Sequence, residues 1–398
     1  MNVTLKLKLL CPIEIENILR QTIIQFTQAF NRATRAGYDI KTTNGCTIHK
    51  MRYNQERTLT QLPSQLICGM ISKTTEALRS VWALQKKHNK KVRKNPEKYK
   101  PKVFKCPQSN KQAVRYDGKR ASMIRLQEGW ANLSSIAGRQ EVRFVLPPNF
   151  NRYEDWKVCS SELILDRKNR LFLHVVLDGE GKPFVSNDFI VGVDLGICRP
   201  AVMSTVDGKF NQFLGKKEWR AIEHRKINYI RILKCKGTKP ARRKLKAMSG
   251  KVNRFRNDCD HVLSKQIVAS VPKGSTIVFE KLKDIRETCG RCKGKAQNGR
   301  IHRWSFARLF EYTEYKAQLA GSRVVKVDPR NTSRRCSKCG DIHKSNRKNQ
   351  SIFKCKPLKH TLNADLNGAR NIAFKHATSG IPLVDGCSQS AQRRQTLE

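Results

Sequence analysis

Three acidic residues stand where a sheet would bury them. Asp194 ends the apolar run "FIVGVD", Glu280 ends "STIVFE", and Asp365 opens "ADLNGARNIAFKHA", whose alanines and arginine favour a helix. Carboxylates at strand ends on one side of a sheet can converge although the chain keeps them far apart. Such a cluster supplies the oxygen ligands that hold two Mg2+ ions about 3.5–4 Å apart for phosphodiester hydrolysis, one ion activating water and the other stabilising the leaving oxygen. Each acid also has a plainer reading. Asp194, between Gly192 and Gly196, suits a turn; Glu280 suits an ion pair with a neighbouring lysine; Asp365 suits a helix cap.

Sulfur offers a second chemistry. Cys336 and Cys339 in "CSKCG" have zinc-knuckle spacing, but "CKPLKH" keeps only Cys355, with Leu358 where its partner would stand. A closed tetrahedral structural site needs a fourth ligand, and His360 is the nearest candidate, His343 the next. The alternatives are loss of zinc with Leu358 as an apolar replacement, or rescue by Cys289 and Cys292. Those two lie in "RETCGRCKGKAQNGR", a Gly- and Lys-rich stretch after Glu280 that reads as a lid, its thiols free. Most of the other cysteines among the 14 are scattered singly, as at Cys11, Cys46, Cys68 and Cys106, and no signal peptide or long apolar run is present. A reduced, cytoplasmic setting and no membrane role are expected. The strand "VGVDLG" also has the look of the phosphate-facing strand of actin-like ATPases, but that reading needs further glycine-rich phosphate loops, which the sequence lacks.

The elements that must position these residues follow from periodicity. "NVTLKLKLL" alternates like a half-buried strand, and "PIEIENILRQTIIQFTQAFNRATRAG" turns helical, with proline at its start and Gly37 at its end. A second helix is predicted through "LPSQLICGMISKTTEALRSVWALQ"; the basic "KKHNKKVRKNPEKYKPKVFK" after it reads as a phosphate-contacting loop or mobile arm. From Tyr116 to Asn187 short strands dominate, with Asp117-Gly118 and Gly179 to Gly181 as hairpin signals, and a small β-barrel is expected. Tyr153, Trp156 and Phe172 in this stretch suit core packing better than base stacking. Thereafter come a buried strand and a hairpin turning at Asp207-Gly208, basic helices from Lys216 to about Val271, the strand "GSTIVFEKL", a helix ending at Gly321, the strand "RVVKVDP" and the last helix. This is an α/β domain with one mixed sheet. The final "SGIPLVDGCSQSAQRRQTLE" reads as a flexible tail.

The chain has 398 residues, with 80 Lys+Arg against 32 Asp+Glu and a formal net charge of +48. Self-repulsion on that scale calls for a polyanionic partner, and nucleic acid is the first candidate. With 38% hydrophobic residues there is enough apolar mass for two or three real cores. Charge alone fits a ribosomal or chromatin protein equally well, because it names the partner and not the chemistry.

Taken in order, "VGVDLG", "TIVFEKLKDIR", "WSFARLFEYTEYKA", "VVKVDPRNTSRRCSKCG" and "HTLNADLNGARNIA" closely resemble the nuclease half of the transposon-encoded TnpB family, which is related to compact type V CRISPR effectors. "RNDCDHVLSKQIV" looks like the family's bridging helix. The resemblance covers Asp188 to about His376; the N-terminal half matches in size and texture only. It implies a multidomain α+β protein with an RNase H-like (RuvC) α/β nuclease domain over residues 188–375, carrying a zinc-ribbon-like insertion at 330–362. It also implies a wedge-like β-barrel from residues 1–10 and 115–187, a helical recognition insertion with a basic arm at 11–114, and the tail at 376–398. Asp194, Glu280 and Asp365 fall at the family's catalytic acids, with Mg2+ as cofactor, and Cys336, Cys339, Cys355 and His360 would hold Zn2+. The implied activity is RNA-guided DNA cleavage. The partners would be a guide RNA, of transposon-end or CRISPR origin, and a double-stranded target bearing a short flanking motif. Arg334 and Arg335 would contact phosphate or lie on the surface. Two other classes stay open: a guided DNA-binding repressor without nuclease activity, and an unguided transposase accessory protein.

Overall fold

A computed structural model describes residues 1–117, 122–148, 150–196, 199–282 and 306–379. Cys289, Cys292, Gly118 and the residues of the expected tail from 380 onward lie outside the described residues. The chain divides between Glu180 and Gly181 into two compact units. Gly179 to Gly181 therefore mark that division rather than a hairpin.

The first unit is built on seven strands: β1 (Asn2–Leu10), β2 (Val114–Asp117), β3 (Ser122–Arg125), β4 (Trp130–Ser135), β5 (Gly138–Phe144), β6 (Lys157–Leu165) and β7 (Leu171–Asp178). They pair antiparallel in the order β2-β6-β7-β1-β5-β4-β3. β1 pairs with β7 from Asn2 to Lys8 and passes to β5 at Leu9 and Leu10, joining two halves into one barrel-like sheet. Its alternation does this as predicted: Leu5, Leu7 and Leu9 are buried, Lys6 and Lys8 exposed. Tyr153 is buried and packs edge-on to Trp156 at 5.1 Å, a core role.

Among the described residues, three α-helices, α1 (Ile13–Asp39), α2 (Gly45–Leu59) and α3 (Ser64–Lys94), belong to this unit. Gly37 lies inside α1 instead of ending it, because a Cβ there would stand 2.6 Å from Leu78 Cδ1 of α3. α2 has no counterpart among the predicted elements; its buried positions are Ile48 and Glu56, the latter a carboxylate held between Arg32 and Arg52. The basic run read as a phosphate-contacting loop or mobile arm is helical in its first half and loop in its second. α3 continues through it to Lys94, and the chain returns along the helix, where Gln85 bonds the backbone of Lys102 and Phe104, His88 meets Lys100 O, and Tyr38 donates to Phe104 O. Lysine and glutamine are good helix formers, so the charge pattern disguised a helix end as a loop.

The second unit centres on β8 (Ile190–Asp194), β9 (Ala201–Ser204), β10 (Asn211–Leu214), β11 (Thr276–Glu280) and β12 (Arg323–Val327) in the order β10-β9-β8-β11-β12. β8, β11 and β12 are parallel and β9 and β10 antiparallel, the mixed sheet that the sequence predicts. Its helices among the described residues are α4 (Glu218–Lys236), α5 (Lys239–Met248), α6 (Lys251–Ala269), α7 (Phe306–Ala320) and α8 (Ala364–Ser379). On one face Val191, Val193, Ile277 and Phe279 pack against Leu263 and Ile267 of α6 and Leu309 and Ala317 of α7. On the other, Ile190, Val278, Val325 and Val327 meet Ile372 of α8. Each fully buried Val, Ile or Leu contributes roughly 1.5–3 kcal/mol, so both layers hold the sheet firmly. The hairpin β13 (Ile352–Lys354) and β14 (Thr361–Asn363) lies between β12 and α8 in the chain. Among the described residues no helix is long and apolar enough to cross a membrane.

Candidate active site and thiol cluster

Strand alternation decides where the acids point. Gly192 and Val278 are register partners on the α8 face, so Asp194 and Glu280, two residues further on, leave their strands toward the same helix. Asp194 lies against the backbone of α8: a Cβ on Gly368 would stand 2.7 Å from its Oδ2. Asp365 sits in the first turn of α8. Asn363, not Asp365, caps that helix, because its Oδ1 accepts the backbone N–H groups of Asp365 and Leu366 at 3.0 and 3.2 Å. Nor is Glu280 in an ion pair with lysine among the described residues; its Oε1 accepts a hydrogen bond from Thr332 Oγ1 at 2.5 Å.

The electrostatics are those of crowded like charges. Burial, then the charges of Glu280 and Asp365, push Asp194 well above the ordinary carboxylate value, against the opposing pull of Arg347. Burial also raises Glu280, offset by the Thr332 bond and by Lys375 and Arg347. Asp365 is raised by burial and drawn back by Arg347 and Arg199. Three partly desolvated carboxylates are the hard-oxygen ligand type that Mg2+ takes, and a divalent cation would relieve the repulsion that Glu280 and Asp365 exert on Asp194; their oxygens do not all lie within 4.8 Å of one another, a wider spacing than that of the thiol group.

Arg347, Lys375 and Thr332 are residues that sequence reasoning missed. The Arg347 guanidinium acts on all three acids and lies 3.9 Å from Asp365 Oδ1. Among 80 Lys and Arg residues, nothing in its spacing marks it out. Arg335 serves α8 instead of an open surface: it donates to Asn371 Oδ1 at 3.1 Å and lies 3.9 Å above the Phe374 ring.

The thiols converge near the same helix. Sγ of Cys339 and Cys355 are 3.5 Å apart. One ligand atom each from Cys336, Cys355 and His360 all lie within 4.8 Å of one another. Both ring nitrogens of His360 are buried without a hydrogen-bond partner, an arrangement that costs free energy unless something else binds them. Burial pushes the Cys355 thiol up to about 11 and disfavours the charged form of His360, whereas the backbone at Asp341 lowers Cys339. Cys336, Cys355 and His360 are soft donors grouped as a metal ion would need, and Cys339 stands beside this group of three, next to Cys355. The loop from Cys355 closes through Lys359 at φ +52°, which turns His360 back toward the sulfurs. His343 is elsewhere employed, bonding Ser345, and Leu358 is 54% exposed, so it fills no space among the thiols.

Two buried asparagines of α8 fasten this segment. Asn367 accepts from Ser337 N and donates to Arg335 O; Asn371 donates to Thr332 O and Arg335 O. The thiol-bearing segment is thus pinned to the helix that carries Asp365.

Residues 306–372 match the Cas12f1-like, TNB domain family. The CRISPR-associated endodeoxyribonuclease Cas12f1 of Sulfoacidibacillus thermotolerans is 33% identical over 255 residues, covering 58% of this chain and 55% of that protein. The putative RNA-guided DNA endonuclease InsQ of Escherichia coli K12 is 29% identical over 224 residues, covering 52% and 53%. TnpB-like proteins are similar as well. The chain spans about half the length of these first relatives. Among solved structures, the cryo-EM structure of a Cas12f1–sgRNA–target DNA complex aligns with a TM-score of 0.60 at 16% identity, over 91% of this chain and 83% of that one, a likeness of fold.

Proposed function

We propose, from its relation to the TnpB-like and Cas12f proteins, that this chain is an RNA-guided, Mg2+-dependent DNA endonuclease whose residues 188–375 form an RNase H-like domain of RuvC type. The observation that carries the reading is the convergence of Asp194, Glu280 and Asp365 on the α8 face of the mixed sheet. Asp194 and Asp365 would hold the metal ions, and Glu280 would complete the ligand set. When bound, a pair of Mg2+ ions activates water and stabilises the leaving oxygen. Arg347, 3.9 Å from Asp365 Oδ1, would offset the charge of the acids and meet the phosphate of a bound strand.

The net charge of +48 suits a protein that grips a guide RNA and double-stranded DNA by their backbones while base pairing reads the sequence. Residues 1–10 and 115–187 would act as the wedge-like barrel and 11–114 as the recognition insertion. Cys336, Cys339, Cys355 and His360 would hold one structural Zn2+, His360 replacing the cysteine absent at Leu358.

The deciding experiment is to express the protein with its native flanking DNA, purify it and sequence the RNA that accompanies it. A discrete RNA with a constant structured part and a variable end is expected, and programmed DNA cleavage should vanish in Asp194→Ala while RNA and DNA binding persist. A heterogeneous smear of cellular RNA, or wild-type cleavage by Asp194→Ala, would sink the reading.

A further inference from the structure

Thr332 is 3% exposed, and its Oγ1 lies 2.5 Å from Glu280 Oε1 and 2.9 Å from Pro329 O. A hydroxyl has one proton and cannot donate to both acceptors at once. The Pro329 carbonyl also receives the backbone N–H of Thr332, whereas Oε1 has no other donor among the described residues. A carboxylate is the stronger acceptor, so the proton goes to Glu280. Thr332 is itself held, because its carbonyl accepts from Asn371 Nδ2 at 2.8 Å, and Asn371 belongs to the helix that bears Asp365. Glu280, Thr332 and Asn371 thus form a hydrogen-bonded link from the end of β11 to α8.

We propose that Thr332 is a positioning residue: by holding Oε1 it turns Oε2 of Glu280 toward the divalent-cation site shared with Asp194 and Asp365, and it fixes that carboxylate relative to α8. The inference rests on the acid cluster being a metal site. It assigns a task to the threonine of "NTSRRC", which neither the thiols nor the acids explain. Among the described residues Oε2 receives no hydrogen bond, so it is the oxygen left for a ligand.

The test is a Mn2+ titration followed by electron paramagnetic resonance on the full chain with its RNA, after supplying zinc to fill the thiol site. The variants are Thr332→Val, which keeps the shape without the hydroxyl, Thr332→Ala, which removes both, and Thr332→Ser, which keeps the hydroxyl. Partners of metal-ligating carboxylates are worth about 10- to 100-fold in metal affinity, so Thr332→Val and Thr332→Ala should weaken Mn2+ binding at least tenfold. Thr332→Ser should stay within about threefold of wild type, since it retains that hydrogen bond. Much of the cleavage lost in Thr332→Val should return at saturating Mn2+, which a merely misfolded domain would not allow. Unchanged affinity in Thr332→Val, with Asp194→Ala having lost the ion, overturns the role of Thr332 and leaves the acid cluster standing. Equal weakening in Thr332→Ser and Thr332→Val also overturns it, because the hydroxyl would not be the cause. A wild-type protein that binds no Mn2+ removes the metal site and this inference together.

Discussion

A Cβ on Gly192 would stand 2.0 Å from the carbonyl oxygen of Ala369 and 2.6 Å from the backbone nitrogen of Ala373. Helix α8 therefore rests directly on the backbone of β8, and this contact sets the height of Asp365 above Asp194. Gly192→Ala should push the helix off the sheet. Overpacking of this kind costs on the order of 1–3 kcal/mol, and urea unfolding of the variant should show it. Cleavage should fall further than that loss of stability explains, because the acids move apart, while RNA binding should be retained.

Asp194 gives a pH-dependent prediction for the metal-free protein. Burial and the neighbouring acids raise it above the ordinary value of 3.8, so the folded state holds the proton more tightly than the unfolded chain does. As pH rises from 3.8 through the raised folded value, the unfolded state releases its proton first and the stability contributed by the protonated group is lost; above that window the buried charge is fully destabilising. Glu280 and Asp365 act with the same sign. Relative to wild type, Asp194→Asn should melt higher at neutral pH without metal and decline less on going up from acid. Added Mg2+ should raise the wild-type melting temperature more than that of the variant. Paired melting curves across pH, with and without Mg2+, check both points.

Arg347 faces the three acids as a positive charge. A guanidinium beside a cation site repels the cation but attracts a phosphate, so Arg347→Ala should slow cleavage at saturating metal, roughly 100-fold by analogy with other preorganised charge donors. It should not raise the Mg2+ concentration needed for half-maximal rate. Single-turnover rates measured across a Mg2+ series separate the two effects.

Elemental analysis should find about one zinc per chain, as a four-ligand site requires. Cys336→Ser should lose it and His360→Cys should keep it, a thiolate taking the place of the imidazole. Leu358→Ala should change nothing, because that side chain is on the surface. Zinc retained by both Cys336→Ser and His360→Ala would exclude the cluster as its site.

Much of this was legible in the chain because it rests on alternation. "IVGVD" and "TIVFE" are short buried strands that end in an acid, and the mixed sheet followed from helices placed between them. What escaped had a physical reason in each case. α2 buries only Ile48 and Glu56, so it carries almost no apolar stripe, and Gly37 serves a close helix contact at a place where glycine usually ends a helix. Asp365 is freed from capping by Asn363, a division of labour that either residue's type would allow. Arg347 and Thr332 owe their roles to the folding back of the thiol-bearing segment, and a linear spacing holds no trace of that.

The third carboxylate is delivered by α8, and the same helix covers Val278, Val325 and Val327. A chain broken by premature termination anywhere before Ala364 would carry two acids and a bare apolar sheet face. Bare faces of this kind drive aggregation, so aborted translation would yield an inert, proteolysis-prone fragment. Quality control is in this sense written into the order of the elements: the third acid arrives in synthesis only with the helix that also covers the apolar face of the sheet.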